Sequence, residues 1–302
     1  MKIVEYRDLP QKDEFLPLMY QAFLCSFTPQ ELENVTAKDE RLLGPVGYCA
    51  IEKDKLAGFV GVMDIPTKTV EGIEWVGGIW GVTTAPQFAH HGICKSLMGR
   101  AHEYFETNGY QFSFLYTSRI IIAYNLYRKL GYNEVEKYNE FPTAYKLVGG
   151  AIPIEYKEGL NWVRIGNLYE DWVADKTGFA LRQKNLRDLL RARKLIDEDK
   201  SIQTEKGCVL ISERNGVVRI QEVIAESDGG KILDVLLTRA EKNAEKAIID
   251  DLVTDPMIEH AYESRGYRVQ RGKYGVLMVR ETGSRFEKVY GDSFHSGKLD
   301  AF

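Results

Sequence analysis

"GVTTAPQFAHHGICKSLM", residues 81–98, is the stretch whose reading decides the fold. It reads as the end of an apolar strand, a tight loop opened by Pro86, and the start of an amphipathic helix. Ile93, Leu97, Ala101, Tyr104 and Phe105 recur at helical spacing along one face, and "NGY" at 108–110 stops the helix near 107. The first turn of a helix leaves N–H groups unpaired and carries partial positive charge, so the junction is a seat for phosphate. To use it, the loop must aim several backbone N–H groups at one point, which needs small residues and a glycine, here Gly92. The patterns GxxxxGK[ST] and GxGxxG are both absent, which argues against a P-loop ATPase and a nicotinamide enzyme.

Working outward, "IEWVGGIWGVTT" (73–84) is a nearly continuous apolar strand, central in its sheet, with glycines at 77, 78 and 81 that mark a bulge or a close backbone approach. Upstream lie a strand over 1–9, a helix in "QKDEFLPLMYQAFLCSF" (11–27), and a second helix opened by "TPQEL" (28–32), with an N-cap and Pro at its first position. A hairpin turns at 52–55. Downstream, "FSFLYTS" is a strand, "IIIAYNLYRKLGY" a short helix ending at Gly131, and 134–148 a returning strand. The order is β-α-α-β-β-β-α-β-α-β, a mixed α/β layer domain over residues 1–148, with "VGGAIP" (148–153) as linker.

The second half repeats the pattern over 149–282, followed by a tail at 283–302. A hairpin turns at Asn215-Gly216, a helix opens at Gly229-Gly230, "KAIIDDLV" is a strand, and "DPMIEHAYESRGY" is a helix. "YRKLGY" (127–132) and "YESRGY" (262–267) share Tyr and Gly-Tyr at an offset of 135 residues, the mark of a duplicated domain.

Composition excludes several classes. A net charge of −4 disfavours nucleic acid as the main partner. The one basic run, "LRQKNLRDLLRARK" (181–194), reads as a helix with a solvated basic face. Four dispersed cysteines without a CxxC pair argue against zinc and a disulfide framework, and for a reducing cytoplasm. No signal peptide and no bilayer-spanning run is read, so no membrane partner is expected.

With these elements in place, "VTTAPQFAHHGICKSLM" resembles the acyl-CoA motif of the GNAT acetyltransferase superfamily, a strand running through Pro into Q/R-x-x-G-x-G/A and a helix. "AYNLYRKLGY" is similar to its second signature, Ala-x-x-x-Tyr-x-x-x-Gly-Phe/Tyr. The tandem arrangement resembles the enhanced-intracellular-survival (Eis-like) type. Two positions depart: the motif's Q/R falls on Ala89 and its last Gly/Ala on Cys94, with His90 and His91 as partial substitutes for the missing charge. The second copy has the shorter "AESDGGKIL", where Glu226 and Asp228 would repel a pyrophosphate.

The resemblance implies a GNAT fold, a mixed central sheet flanked by helices, followed by a degenerate GNAT-like domain. It implies acetyl-CoA as co-substrate, with phosphates against Ala89, His90, His91, Gly92, Ile93 and Cys94 and the pantetheine arm along Val82, Thr83 and Thr84. The activity implied is N-acetyl transfer to an amine-bearing small molecule or peptide, with a non-catalytic acyl-CoA-binding module as the alternative. Tyr127 occupies the acid position. The base is either Glu74 or the carboxylate of Phe302, because Eis-like chains end in Phe with that carboxylate in the active site. Asp64, Glu71 and Glu74 are expected to draw a cationic amine. No metal is implied, and a homo-oligomer is compatible with the reading.

Overall fold

The computed structural model describes residues 1–24, 28–149, 159–226 and 230–300. Its elements are β1 (Lys2–Glu5), α1 (Phe15–Phe23), α2 (Pro29–Thr36), β2 (Gly47–Glu52), β3 (Lys55–Lys68), β4 (Ile73–Thr84), α3 (Ile93–Thr107), β5 (Phe112–Ser118), α4 (Ile122–Lys129), β6 (Asn133–Glu134), α5 (Glu136–Glu140) and β7 (Thr143–Leu147). There follow α6 (Trp162–Trp172), β8 (Thr177–Gly178), α7 (Leu186–Ala192), β9 (Ile202–Gln203), β10 (Gly207–Arg214), β11 (Val217–Ala225), α8 (Gly230–Lys242), β12 (Ala247–Asp250), α9 (Pro256–Ser264), β13 (Arg268–Gln270), β14 (Gly275–Glu281), α10 (Phe286–Tyr290) and β15 (Phe294–His295).

Local chemistry accounts for the boundaries. Thr28 and Glu31 form a reciprocal capping box ahead of Pro29, which starts α2 where the sequence places it. Asn215 (φ 57°) and Gly216 (φ 82°) turn the β10–β11 hairpin through left-handed backbone. The expected strand over 134–148 is instead broken by α5, so that only Asn133–Glu134 and Thr143–Leu147 are extended.

Two mixed sheets result among the described residues. The first runs β1-β2-β3-β4-β5-β14-β6, with β8 and β15 appended beside β3. The second runs β13-β7-β12-β11-β10-β9. The pairing departs from a division of the chain at 148. β7, which ends the first half, lies in the second sheet between β12 and β13. β14, which ends the second half, lies in the first sheet between β5 and β6. The two halves thus exchange equivalent strands. Each exchanged strand has partners on both edges, which the residue order alone does not specify. "VGGAIP" falls largely outside the described residues.

The two halves share a local signature as well. The Tyr132 N–H donates to the Tyr127 carbonyl, and the Tyr267 N–H donates to that of Tyr262, both at 3.0 Å. Gly131 (φ 90°) and Gly266 (φ 77°) close the two turns.

The basic run is not a wholly solvated face. Arg187 and Arg191 do reach an outer partner, Glu198. Arg182 and Arg193, at its ends, turn inward to Asp300 (2.9 Å) and Asp39 (2.6 Å). Burial would raise the Asp39 carboxyl, but hydrogen bonds from Arg41 and the charges of Arg41 and Arg193 hold it below its ordinary value. The Arg193 contact ties the end of α7 to the segment after α2, and the Arg182 contact ties the approach to α7 to residue 300.

Candidate functional site

The site is built on the way β4 and β5 part. They pair in parallel at Gly77–Ser113, Gly78–Phe114 and Ile79–Leu115, and there the pairing stops. Two residues later β4 bulges: Gly81 and Val82 together oppose Val60 of β3, and Gly81 takes φ 59°. A Cβ at Gly81 would come within 3.3 Å of Met19 and Phe59, so both space and backbone conformation select glycine. The outer edges stay occupied, β4 by β3 at Thr83 and Thr84, β5 by β14 along Phe112–Ser118. Beyond Ile79 and Leu115 the inner edges of the two strands have no further register pair with each other, and a cleft opens between them. Thr84 Oγ1 and Thr117 Oγ1, one on each margin, are enclosed and have no hydrogen-bond partner among the described residues.

At the end of this cleft stands the N-terminus of α3. Pro86 opens a single turn, His90 (φ 65°) and Gly92 (φ 78°) reverse the chain, and Gly92 caps α3 without a side-chain bond. The first N–H to find an intrahelical carbonyl is that of Ser96, bonded to Gly92. The N–H groups of His90, His91, Gly92, Ile93, Cys94 and Lys95 have no partner among the described residues. Six N–H groups without a partner among the described residues, at a helix start, are of the kind that an anion can satisfy. His90 and His91 are exposed there, while the Ile93 side chain is core and offers only its backbone.

Cys94 and Tyr127 sit beside this seat. Burial pushes the Cys94 thiol up to about 11, against any lowering by the helix terminus, so the thiol stays protonated and inert near neutrality. Tyr127, on α4, is buried, and burial followed by the nearness of Cys94 raises its hydroxyl above the ordinary tyrosine value. That hydroxyl makes no hydrogen bond among the described residues.

On the β5 margin, Tyr116 pairs its hydroxyl with that of Ser296 from the chain's last segment and packs its ring 5.5 Å from Tyr138. Sequence reading did not find this pair, because 180 residues separate its members and no local pattern links them. The segment is anchored further by Arg182 on Asp300 (2.9 Å) and by Arg41, whose Nη1 donates to the Asp300 carbonyl at 3.2 Å.

Two of the expected residues do not serve the cleft, and a third lies outside the described residues. The Ala89 N–H is spent on the Pro86 carbonyl, so this residue adds no donor to the seat. Glu74 lies at the opposite end of β4 from the bulge, about 23 Å away at the strand rise, too far to act as base there. Burial raises its carboxyl, but in a separate shallow groove that it shares with Asp64, Glu71 and Trp75. The acids expected to draw the acceptor are thus remote from the cleft. Phe302 lies outside the described residues. Among the described residues no group of three or more His, Cys, Asp or Glu side chains could hold a metal ion, and no helix is long and apolar enough to cross a membrane.

The geometry agrees with comparisons to known proteins. The family model described as acetyltransferase (GNAT) domain matches residues 6–135. No curated protein matches the chain. Solved structures do. The GCN5-related N-acetyltransferase from Kribbella flavida aligns at TM-score 0.64 and 15% identity, covering 93% of this chain and 70% of that one. Eis1 from Mycobacterium abscessus aligns at TM-score 0.59 and 13% identity, covering 93% and 74%. A putative acetyltransferase from Pyrococcus horikoshii aligns at 0.55 and 16%, covering 97% and 93%. At these identities the structures establish the fold, and the family match establishes what the first half is. The protein carries a GNAT acetyltransferase domain over residues 6–135 and is an acyltransferase.

Proposed function

We propose that the protein moves an acetyl group from acetyl-CoA to a primary amine, with the thioester substrate lying in the β4–β5 cleft. The observation that carries this reading is the coincidence of two parting parallel strands with six N–H groups at the start of α3 that have no partner among the described residues. A pantetheine arm has amide groups that can complete the ladder of Val82–Thr84, and the enclosed hydroxyls of Thr84 and Thr117 lack partners that such a chain supplies. The diphosphate fits the seat from His90 to Lys95, where backbone donors do the work that the missing arginine does elsewhere in the family.

The chemistry is attack of a neutral amine on the thioester carbonyl carbon: a C–N bond forms, the C–S bond breaks, and the sulfur leaves with charge that must be met. Tyr127 is the group that meets it. Because its hydroxyl is held protonated above the range of a thiol, full transfer of the proton is uphill. Its contribution is a hydrogen bond donated to the developing thiolate, while the amine's surplus proton completes the balance. The second half, with Glu226 on the approach to α8, is proposed to be a GNAT-like copy that does not take the thioester.

Titration calorimetry with acetyl-CoA tests the reading, followed by thiol release with a panel of small amines and peptides. Micromolar binding and amine-dependent thiol release are expected; no heat at millimolar ligand ends the proposal.

A further inference from the structure

The first cleft has a counterpart in the second sheet. β11 pairs with β12 in parallel at Val217, Val218 and Arg219 and then parts from it. Two residues later, at Gln221, β11 carries its own bulge against β10. Matching the two registers sets Asp250 where the first cleft has Tyr116, and the repeat offset sets Tyr262 where it has Tyr127. The contents differ. The Tyr262 hydroxyl is committed, donating to Asp250 Oδ2 at 2.9 Å. The ammonium of Lys298, from the chain's last segment, pairs with Asp250 at 2.8 Å and Asp251 at 2.7 Å and donates to the carbonyl of Ile220 beside the bulge. What remains there is a cavity of about 30 Å³. That is room for a water or two, against the roughly 300–1,000 Å³ of small-molecule sites.

The same short segment therefore touches both clefts at equivalent positions. Ser296 meets Tyr116 in the first, and Lys298, two residues on, meets Asp250 in the second. We infer that the second cleft is the docking site of the chain's own Lys298, in a segment that begins as a strand of the first sheet at Phe294–His295, and that Lys298 is a positioning residue which, through that docking, fixes Ser296 on Tyr116 at the margin of the transfer site. The inference rests on the reading of the first cleft as that site. Lys298 touches neither the thioester's backbone donors nor Tyr127. Its loss acts through Tyr116, on the side of the cleft that does not carry the anion seat.

The test compares Lys298→Met, Lys298→Arg and Ser296→Ala in the full chain. Amide hydrogen exchange is read over residues 294–300, and turnover and acetyl-CoA affinity are measured in parallel. Lys298→Met is expected to speed exchange of the segment tenfold or more and lower kcat about tenfold, with acetyl-CoA Kd within twofold. Lys298→Arg should restore most of both. Ser296→Ala should lower kcat with the segment still protected. Should Lys298→Met fail to fold because Asp250 is left buried and unpaired, Lys298→Met combined with Asp250→Asn carries the same expectations. A segment that stays as protected as in the wild type overturns the docking, and a freed segment with unchanged kcat overturns the positioning role. Absence of acetyl-CoA binding to the wild type would instead refute the transfer reading, while the exchange data still judge the docking.

Discussion

The exchange of β7 and β14 makes a strong energetic prediction. β14 forms seven register pairs with β5 and buries Val276, Leu277, Met278 and Val279, none more than 5% exposed. At about 1.5–3 kcal/mol per buried apolar side chain, those four contribute roughly 6–12 kcal/mol. A whole domain is stable by only about 5–15 kcal/mol. Residues 1–149 expressed alone should therefore lack a cooperative fold, although they contain every residue of the candidate site except the last segment. The finer perturbation is Leu277→Ala in the full chain, at a side chain with no exposed surface. A buried Leu→Ala costs about 2–5 kcal/mol. Amide exchange by mass spectrometry then reads both sheets. Because each sheet contains a strand of the other half, the slowest amides of β10–β12 should lose protection along with those of β3–β5, by roughly 30- to 5,000-fold. If Leu277→Ala loosened only the first sheet, or if residues 1–149 gave a sharp unfolding transition alone, the halves would be independent and the reasoning refuted.

Three further perturbations probe the site and the core around it. Tyr127→Phe should lower kcat about 100-fold with acetyl-CoA Kd within about twofold, since the hydroxyl acts on developing charge; parallel losses in both, measured by steady-state kinetics and calorimetry, would remove its role. Gly92→Val puts a β-branched side chain at φ 78°, and the strain should turn the N–H groups of the seat and weaken acetyl-CoA at least tenfold, read by calorimetry, with β4 amide exchange unchanged. His102 is buried against Tyr132, and burial, then the charge of Arg280, holds its pKa down at about 4. The unfolded chain takes up that proton first as pH falls below about 6.5, so the stability is full above that value and drains away towards pH 4, about 2 kcal/mol being lost by pH 5. Urea midpoints at pH 7 and 5 should show His102→Gln sparing that loss; equal losses in both proteins would contradict it.

Sequence made the strand–loop–helix stretch legible because its determinants are local. Pro86, the glycine at 92 and the helical spacing of Ile93, Leu97 and Ala101 act within a few residues of one another. The bulge was marked by Gly81 for the same reason, and the turns at Gly131 and Gly266 by the repeated Tyr and Gly-Tyr. Strand exchange left no such trace, since β7 and β14 are equally apolar wherever they pair. Register also misled: Glu74 is on the expected strand, but a strand of twelve residues carries its two ends to opposite edges of the domain. The inward turn of Arg182 and Arg193 likewise depends on Asp300 and Asp39, distant in sequence. Only the pairing of these residues distinguishes a structural arginine from a solvated one.

On the proposed reading of the first cleft, the exchange also explains what the second half contributes to the transfer. Two parallel strands that part while keeping bare edges would ordinarily close on each other or recruit another strand. Here β4 is held by β3 and its bulge, and the far edge of β5 is held by β14. β14 belongs to the second half in sequence, and the segment that follows it returns to pin Tyr116. Opening of the cleft is therefore maintained by a half whose own cleft is closed by Lys298 and the committed hydroxyl of Tyr262. Selection for transfer activity acts on that half through β14 and residues 294–300. If the first cleft takes the thioester as proposed, a second such site there would compete with the docking that keeps the first one open.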